Sequence, residues 1–228
     1  MIHFSHQRTA QLAQVVECTQ SEGPGRRFAI WFQGCTLRCP GCCNQEMLPF
    51  SGGTRMSLDT LLARIEKAHR EQQIEGITLL GGEPFAHAAF ATELAIQVQR
   101  RGLSVMAFTG YTLDQLQTSM LEAASELLKR VDVLVDGPYR AHEPESRRRW
   151  IGSTNQRVHF LSDRYGDTGE WRKANTVEIR MQDGEIFVSG FPTSGMQKAF
   201  GGLPQCGPAG GSTGGAASGD EAAAGAGP

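Results

Sequence analysis

The sequence contains no run of about 18 apolar residues, so no transmembrane helix is expected. Its first residues, Met1-Ile-His-Phe-Ser-His6, lack the basic-then-apolar layout of a signal peptide. An excess of charge of one sign is also missing. The formal net charge is −2, and aromatics are only 7% of the 228 residues. With neither a basic footprint nor a base-stacking surface, nucleic acid and membrane are not expected as partners. The six histidines form no HxxxH pair. Cysteine is scarce as well, at six residues. A reducing cytoplasm is the expected location, and there clustered cysteines are better read as metal ligands than as disulfides.

What is present is a cluster. Cys35, Cys39 and Cys42 stand in the run Gly34-Cys-Thr-Leu-Arg-Cys-Pro-Gly-Cys42, with spacing CxxxCxxC. The rest of the chain offers no obvious fourth ligand. Three sulfurs can hold three corners of a 4Fe–4S cubane and leave the fourth iron open to a small molecule, which suggests chemistry rather than scaffolding. The alternative is a structural zinc site, or a non-catalytic metal-bearing interaction module. Structural zinc wants four ligands, usually as two separated pairs, and the second pair is missing. Cys43 follows Cys42 directly, and neighbours rarely point at one metal. Cys18, in Gln14-Val-Val-Glu-Cys18, reads as a buried structural thiol. Cys206 falls in a Gly-rich tail and is assigned no role.

Along the chain, Phe28–Phe32 is a short apolar run of strand formers that leads into the cysteine loop. Ser57 reads as the N-cap of a helix with Leu58, Leu61, Leu62, Ile65 and Ala68 on one stripe. Gly76–Leu80, Leu103–Phe108 and Val131–Val135 read as further strands, with helices over 86–100 and 112–128 between them. Each strand ends in a loop of distinct composition: Gly81-Gly-Glu-Pro84, Thr109-Gly-Tyr111 and Asp136-Gly-Pro138. Strand–loop–helix repetition implies a parallel sheet with crossover helices. The units are too few for a closed eight-stranded barrel. The expected fold is α/β, a partial (β/α)6-type open barrel, with the active loops at the C-terminal strand ends. Residues 139–174 read either as a solvated loop or as a surface that orders when a partner or substrate docks. A β-hairpin with an Asp183-Gly184 turn follows over 177–188. The expected division is a catalytic domain over 1–200 and a disordered Gly/Ala-rich tail over 201–228.

Glu22-Gly-Pro-Gly-Arg26 and Trp31-Phe-Gln-Gly-Cys35-Thr-Leu-Arg-Cys39-Pro-Gly-Cys42-Cys-Asn44 together resemble the radical S-adenosylmethionine superfamily, and within it the activating enzymes of glycyl-radical proteins. Cys-Pro-Gly-Cys followed by Asn44 is similar to activases of anaerobic ribonucleotide reductase. Gly81–Pro84, Phe108–Tyr111, Val135–Pro138, Trp150–Arg157 and Gly190–Pro192 resemble later motifs of that group, in the same order. The resemblance covers about residues 12–192.

The resemblance implies one [4Fe–4S] cluster on Cys35, Cys39 and Cys42, with S-adenosyl-L-methionine chelating the open iron. It implies that the amino group of that cofactor meets Gly81, Gly82, Glu83 and Pro84, with Glu83 either adding negative charge or fixing the loop. Thr109 and Tyr111 would line the adenosine pocket, and Asp136 would hold the ribose hydroxyls or order its loop. Gly41 and the backbone of Cys43 are further expected contacts. The implied activity is an oxidoreductase that generates a glycyl radical on a partner protein, in particular anaerobic ribonucleotide reductase. Flavodoxin or ferredoxin is the kind of electron donor expected. Within the superfamily, a peptide or small-molecule substrate is the alternative.

Overall fold

A computed structural model describes residues 8–118, 122–182 and 185–191. β1 (Thr9–Thr19) runs antiparallel to β2 (Arg27–Phe32), and the short β3 (Thr54–Ser57) pairs antiparallel with β1. β2 then pairs in parallel with β4 (Gly76–Gly81), β4 with β5 (Ser104–Phe108), and β5 with β6 (Val133–Asp136). β7 (Arg157–Phe160) closes the far side antiparallel to β6. The seven strands form one sheet in the order β3-β1-β2-β4-β5-β6-β7. Every residue of β2 is buried, as expected for a strand covered on both faces.

The crossovers are helical. α1 (Leu58–Gln72) starts where Ser57 accepts a hydrogen bond from the Thr60 amide, and it buries Leu58, Leu61, Ile65 and Ala68. α2 (Ala88–Gln99) follows a 3-10 turn over Pro84–His87 and buries Phe90, Leu94 and Val98. The expected helix over 112–128 is described as α3 (Leu113–Gln117), with the Thr112–Gln115 capping box formed, and α4 (Glu122–Leu128). Residues 119–121 lie outside the described residues.

Strand alternation sorts the sheet's side chains into two layers. Phe28, Ile30, Ile77, Leu79, Val105 and Leu134 pack with the helices on one face. The other face carries Ala29, Trp31 and Leu80 with Val16 and Met47, and Met106, Val133 and Val135 with Trp150, Ile151 and Trp171. Residues 139–174 are therefore not simply a solvated loop. They include β7 and cover the second face of the sheet. Trp150 and Trp171 meet edge to face with ring centroids 4.9 Å apart. Arg148 donates to the carbonyls of Gln156 (2.8 Å) and Thr154 (3.0 Å), and the Arg149 guanidinium lies over the Trp150 ring, 4.6 Å from its centroid. Arg147 alone of the three arginines stays exposed.

At the N-terminal strand ends, fully buried Arg27 ties the sheet together. Its guanidinium donates to Thr78 Oγ1 (3.1 Å), Ser104 Oγ (2.7 Å), Tyr165 Oη (3.1 Å) and the Ile77 carbonyl. Beyond the sheet, β8 (Val177–Gln182) and β9 (Glu185–Gly190) form the expected antiparallel hairpin. Its Asp183-Gly184 turn, the tail over 201–228 and Cys206 lie outside the described residues. Cys18 is half-buried against the helical core rather than fully buried. Among the described residues, no helix is long and apolar enough to cross a membrane.

Candidate active site

Because β2, β4, β5 and β6 are parallel, the loops that follow them gather at one edge of the sheet. The cysteine loop is held at its base by the chain returning through 45–48: the Gly34 amide donates to the Met47 carbonyl (2.8 Å), and the Cys35 amide to that of Leu48 (3.0 Å). Beyond that base the loop turns through positive φ at Arg38 (49°) and Gly41 (74°). Cys35 is buried, Cys39 and Cys42 are half-buried, and all three line one cavity together with Cys43. Burial pushes the Cys39 and Cys42 thiols up, opposed by the polarity of the nearby Tyr139 and Asn44 backbone. A bound metal reverses that balance, since a coordinating thiol loses its proton outright. Among the described residues, no three His, Cys, Asp or Glu side chains stand close enough to hold a single metal ion.

The loop after β4 docks directly on this base. The Gly82 amide donates to the Phe32 carbonyl (2.8 Å), and the Glu83 amide to that of Gly34 (2.9 Å). A Cβ on Gly81 would stand 2.6 Å from the Phe32 nitrogen, and one on Gly82 would stand 2.2 Å from the Gly34 carbonyl oxygen. Glycine is required here for backbone to meet backbone, whereas the sequence suggested approach to a ligand. Pro84 is buried at the start of the 3-10 turn and does not line the cavity.

Glu83 is buried and fully engaged. Its Oε1 accepts from the Phe85 amide and from Thr109 Oγ1, both at 2.9 Å, and its Oε2 accepts from the Gly110 amide at 3.0 Å. Burial raises its pKa to about 7 against the pull of these donors. These bonds fix the loop, and Glu83 also lines the cavity, where the second role expected for it would act.

The remaining expected residues divide. Thr109, Gly81 and Gly82 line the cavity, whereas Gly41, Tyr111 and Asp136 do not. Asp136 faces other partners: Oδ2 accepts from the Leu113 amide at the start of α3 (2.6 Å), and Oδ1 is 3.1 Å from His159 Nε2 on β7. It orders its loop. The Tyr111 hydroxyl instead meets Thr36 Oγ1 at 2.9 Å.

Several lining residues were assigned no role from the sequence: Leu80 and Tyr139 lay outside the motifs, and Trp31, Phe108, Gln156 and Phe191 stood in them only as part of the pattern. Glu22 is another, having been read only as part of a turn and of a motif. It is buried at the cavity wall, and its Oε1 accepts from the Gly190 amide at 2.6 Å. Burial raises its pKa to about 8 from an ordinary 4.5. A folded-state value above the unfolded one means that this group's contribution to stability is complete below pH 4.5 and is lost as pH rises through about 8. Glu22→Gln keeps a neutral acceptor for Gly190. The wild-type melting temperature should therefore fall relative to Glu22→Gln across that window. A constant difference between the two melting curves would remove burial of the carboxyl as the cause.

Thiols gathered on a loop at the C-terminal ends of parallel strands define an α/β protein of the iron–sulfur class. Residues 21–159 match the 4Fe-4S single cluster domain family. The anaerobic ribonucleoside-triphosphate reductase-activating protein of Salmonella typhi is 31% identical over 147 residues, which are 61% of this chain and 91% of that protein. The protein so named from Vibrio cholerae is 32% identical over 145 residues (60% and 89%), and that of Enterobacteria phage T4 is 28% identical over 166 residues (70% and 96%). The chain belongs to the 4Fe-4S single cluster domain family and, within it, to the group of these reductase-activating proteins. Among solved structures, QueE from Escherichia coli aligns over 59% of this chain and 73% of its own, with a TM-score of 0.37 and 17% identity, a likeness too distant to bear on the fold.

Proposed function

We propose that this chain is a radical S-adenosylmethionine activase that installs a glycyl radical on an anaerobic ribonucleoside-triphosphate reductase. The observation that carries the reading is the convergence of Cys35, Cys39 and Cys42 on one cavity whose walls are the loops after β2, β4 and β5. The donor set suits a 4Fe–4S cluster. Three thiols share one wall, and a cubane holds its ligands farther apart than a single ion does. Cys35, Cys39 and Cys42 would hold it.

Held by Cys35, Cys39 and Cys42, a reduced cluster would supply one-electron reductive cleavage of S-adenosylmethionine, the chemistry needed to remove a hydrogen from the Cα of a glycine. The chain's own residues bind, orient and exclude water. The Gly82–Glu83 backbone keeps the β4 loop against the cysteine loop, so a cofactor seated there stays beside the thiols. Trp31, Leu80, Phe108 and Phe191 give the cavity an apolar lining that excludes water from a reactive radical. We read the sheet as an open partial barrel, with a loop of the partner entering at the sheet edge where the cysteine loop and the cavity lie. On this reading residues 1–200 are the catalytic unit and 201–228 an appended tail, and flavodoxin or ferredoxin would supply the electron.

Anaerobic reconstitution followed by reduction and S-adenosylmethionine should yield 5′-deoxyadenosine, and adding the reductase should produce the electron-spin signal of a glycyl radical. An intact cluster with no 5′-deoxyadenosine would overturn the chemistry. Cleavage without a radical on the reductase would overturn only the partner, and favour a peptide or small-molecule substrate.

A further inference from the structure

The cysteine loop leaves the body of the protein almost bare. Thr36, Arg38, Pro40 and Gly41 are exposed, and Arg38 holds a left-handed conformation that a non-glycine residue adopts only when its surroundings impose it. Few contacts can impose it. The loop after β5 supplies two of them. The Tyr111 hydroxyl lies 2.9 Å from Thr36 Oγ1. Leu37 packs over Gly110 so closely that a Cβ there would stand 2.6 Å from Leu37 Cδ1.

This grip is anchored in the interior. The Tyr111 amide donates to Thr109 Oγ1 (3.2 Å), and Thr109 Oγ1 donates to the buried Glu83 carboxylate (2.9 Å). Glu83 is in turn fixed to the Gly34 carbonyl at the base of the cysteine loop. A continuous path therefore leaves the base of the loop through Glu83 and Thr109 and returns through Tyr111 to Thr36, where the loop rises from Cys35. A ring closed in this way restrains that rising limb without any contact between Tyr111 and the cavity.

We propose that Tyr111 is a positioning residue that clamps the cysteine loop through Thr36, and so sets where Cys39 and Cys42 stand before any cluster is assembled. The consequence for a cluster rests on the iron–sulfur reading above. The clamp itself does not.

The test uses the full chain with Tyr111→Phe and Thr36→Val, each of which deletes one hydroxyl with little change in shape, and the double variant. In metal-free protein, amide hydrogen exchange over residues 35–42 should quicken about fivefold in each single variant, the effect of one hydrogen bond. The double variant should be no faster than either single one, because both remove the same bond. In reconstituted protein, loss of iron to a chelator should quicken by a similar factor and the electron-spin spectrum of the reduced cluster should change. Affinity for S-adenosylmethionine should stay at the wild-type value. Exchange unchanged in both single variants, or additive in the double, overturns the clamp. So does a Tyr111→Phe protein that loses S-adenosylmethionine affinity while its loop exchanges normally, since Tyr111 would then belong to the nucleoside pocket. Failure of wild-type protein to take up iron is a separate result that counts against the cluster and leaves the exchange comparison standing.

Discussion

Cys39→Ala is expected to reduce iron from about four per chain to background and to abolish cleavage of S-adenosylmethionine. Removing one thiolate leaves only two corners of a cubane held by the loop. Cys35→Ala and Cys42→Ala should behave alike. Because Cys39 is only half-buried, the metal-free variant should unfold within about 1 kcal/mol of wild type, so loss of iron would not reflect loss of fold. Cys18→Ala is the matching control. Cys18 sits on β1 and does not line the cavity, so iron and cleavage should persist. Iron and sulfide analysis beside chromatography of 5′-deoxyadenosine decides both. Full iron content in any of the three loop variants would refute the ligand assignment.

Gly82→Ala is expected to destabilise the protein strongly. The added methyl would stand 2.2 Å from the Gly34 carbonyl oxygen and 2.7 Å from its carbon. Those are backbone atoms at the base of the cysteine loop and cannot swing aside. Relief requires that the β4 loop part from the cysteine loop, breaking the Gly82–Phe32 and Glu83–Gly34 bonds. A cost of about 2–4 kcal/mol follows from overpacking with loss of buried hydrogen bonds. Gly166→Ala, where nothing lies within 4 Å of the new Cβ, should be close to neutral. Urea unfolding compares the two variants. Equal midpoints would show that the β4 loop can yield, and that its glycines serve something other than this backbone contact.

Local signals wrote much of this fold. The apolar runs of β2, β4, β5 and β6, the Ser57 cap, the Thr112–Gln115 capping box and the pairing of 177–182 with 185–190 all follow from neighbours within a few residues. β3 and β7 were not legible. Both are short strands at the edges of the sheet, and they exist because β1 and β6 offer them unpaired backbone. The stretch 139–174 misleads for the same reason. Its charge and irregularity resemble solvent-facing chain, but Trp150 and Trp171, 21 positions apart, find each other only over the second face of the sheet.

The site divides in the same manner. CxxxCxxC and the motifs at the strand ends were readable because each sits on one short loop, and loops after parallel strands must assemble at one edge. Which motif residues face the cavity was not readable. Asp136 turns to Leu113 and His159, Tyr111 turns to Thr36, and Glu22, which read as part of a turn, stands at the cavity wall under the Gly190 amide. Residue type and spacing by themselves determined that the three thiols share one place, since three thiols within eight residues can hardly avoid one another. Tertiary structure alone decided the direction of each polar side chain, because a buried carboxylate or hydroxyl goes to whichever unpaired donor or acceptor the distant chain brings within reach.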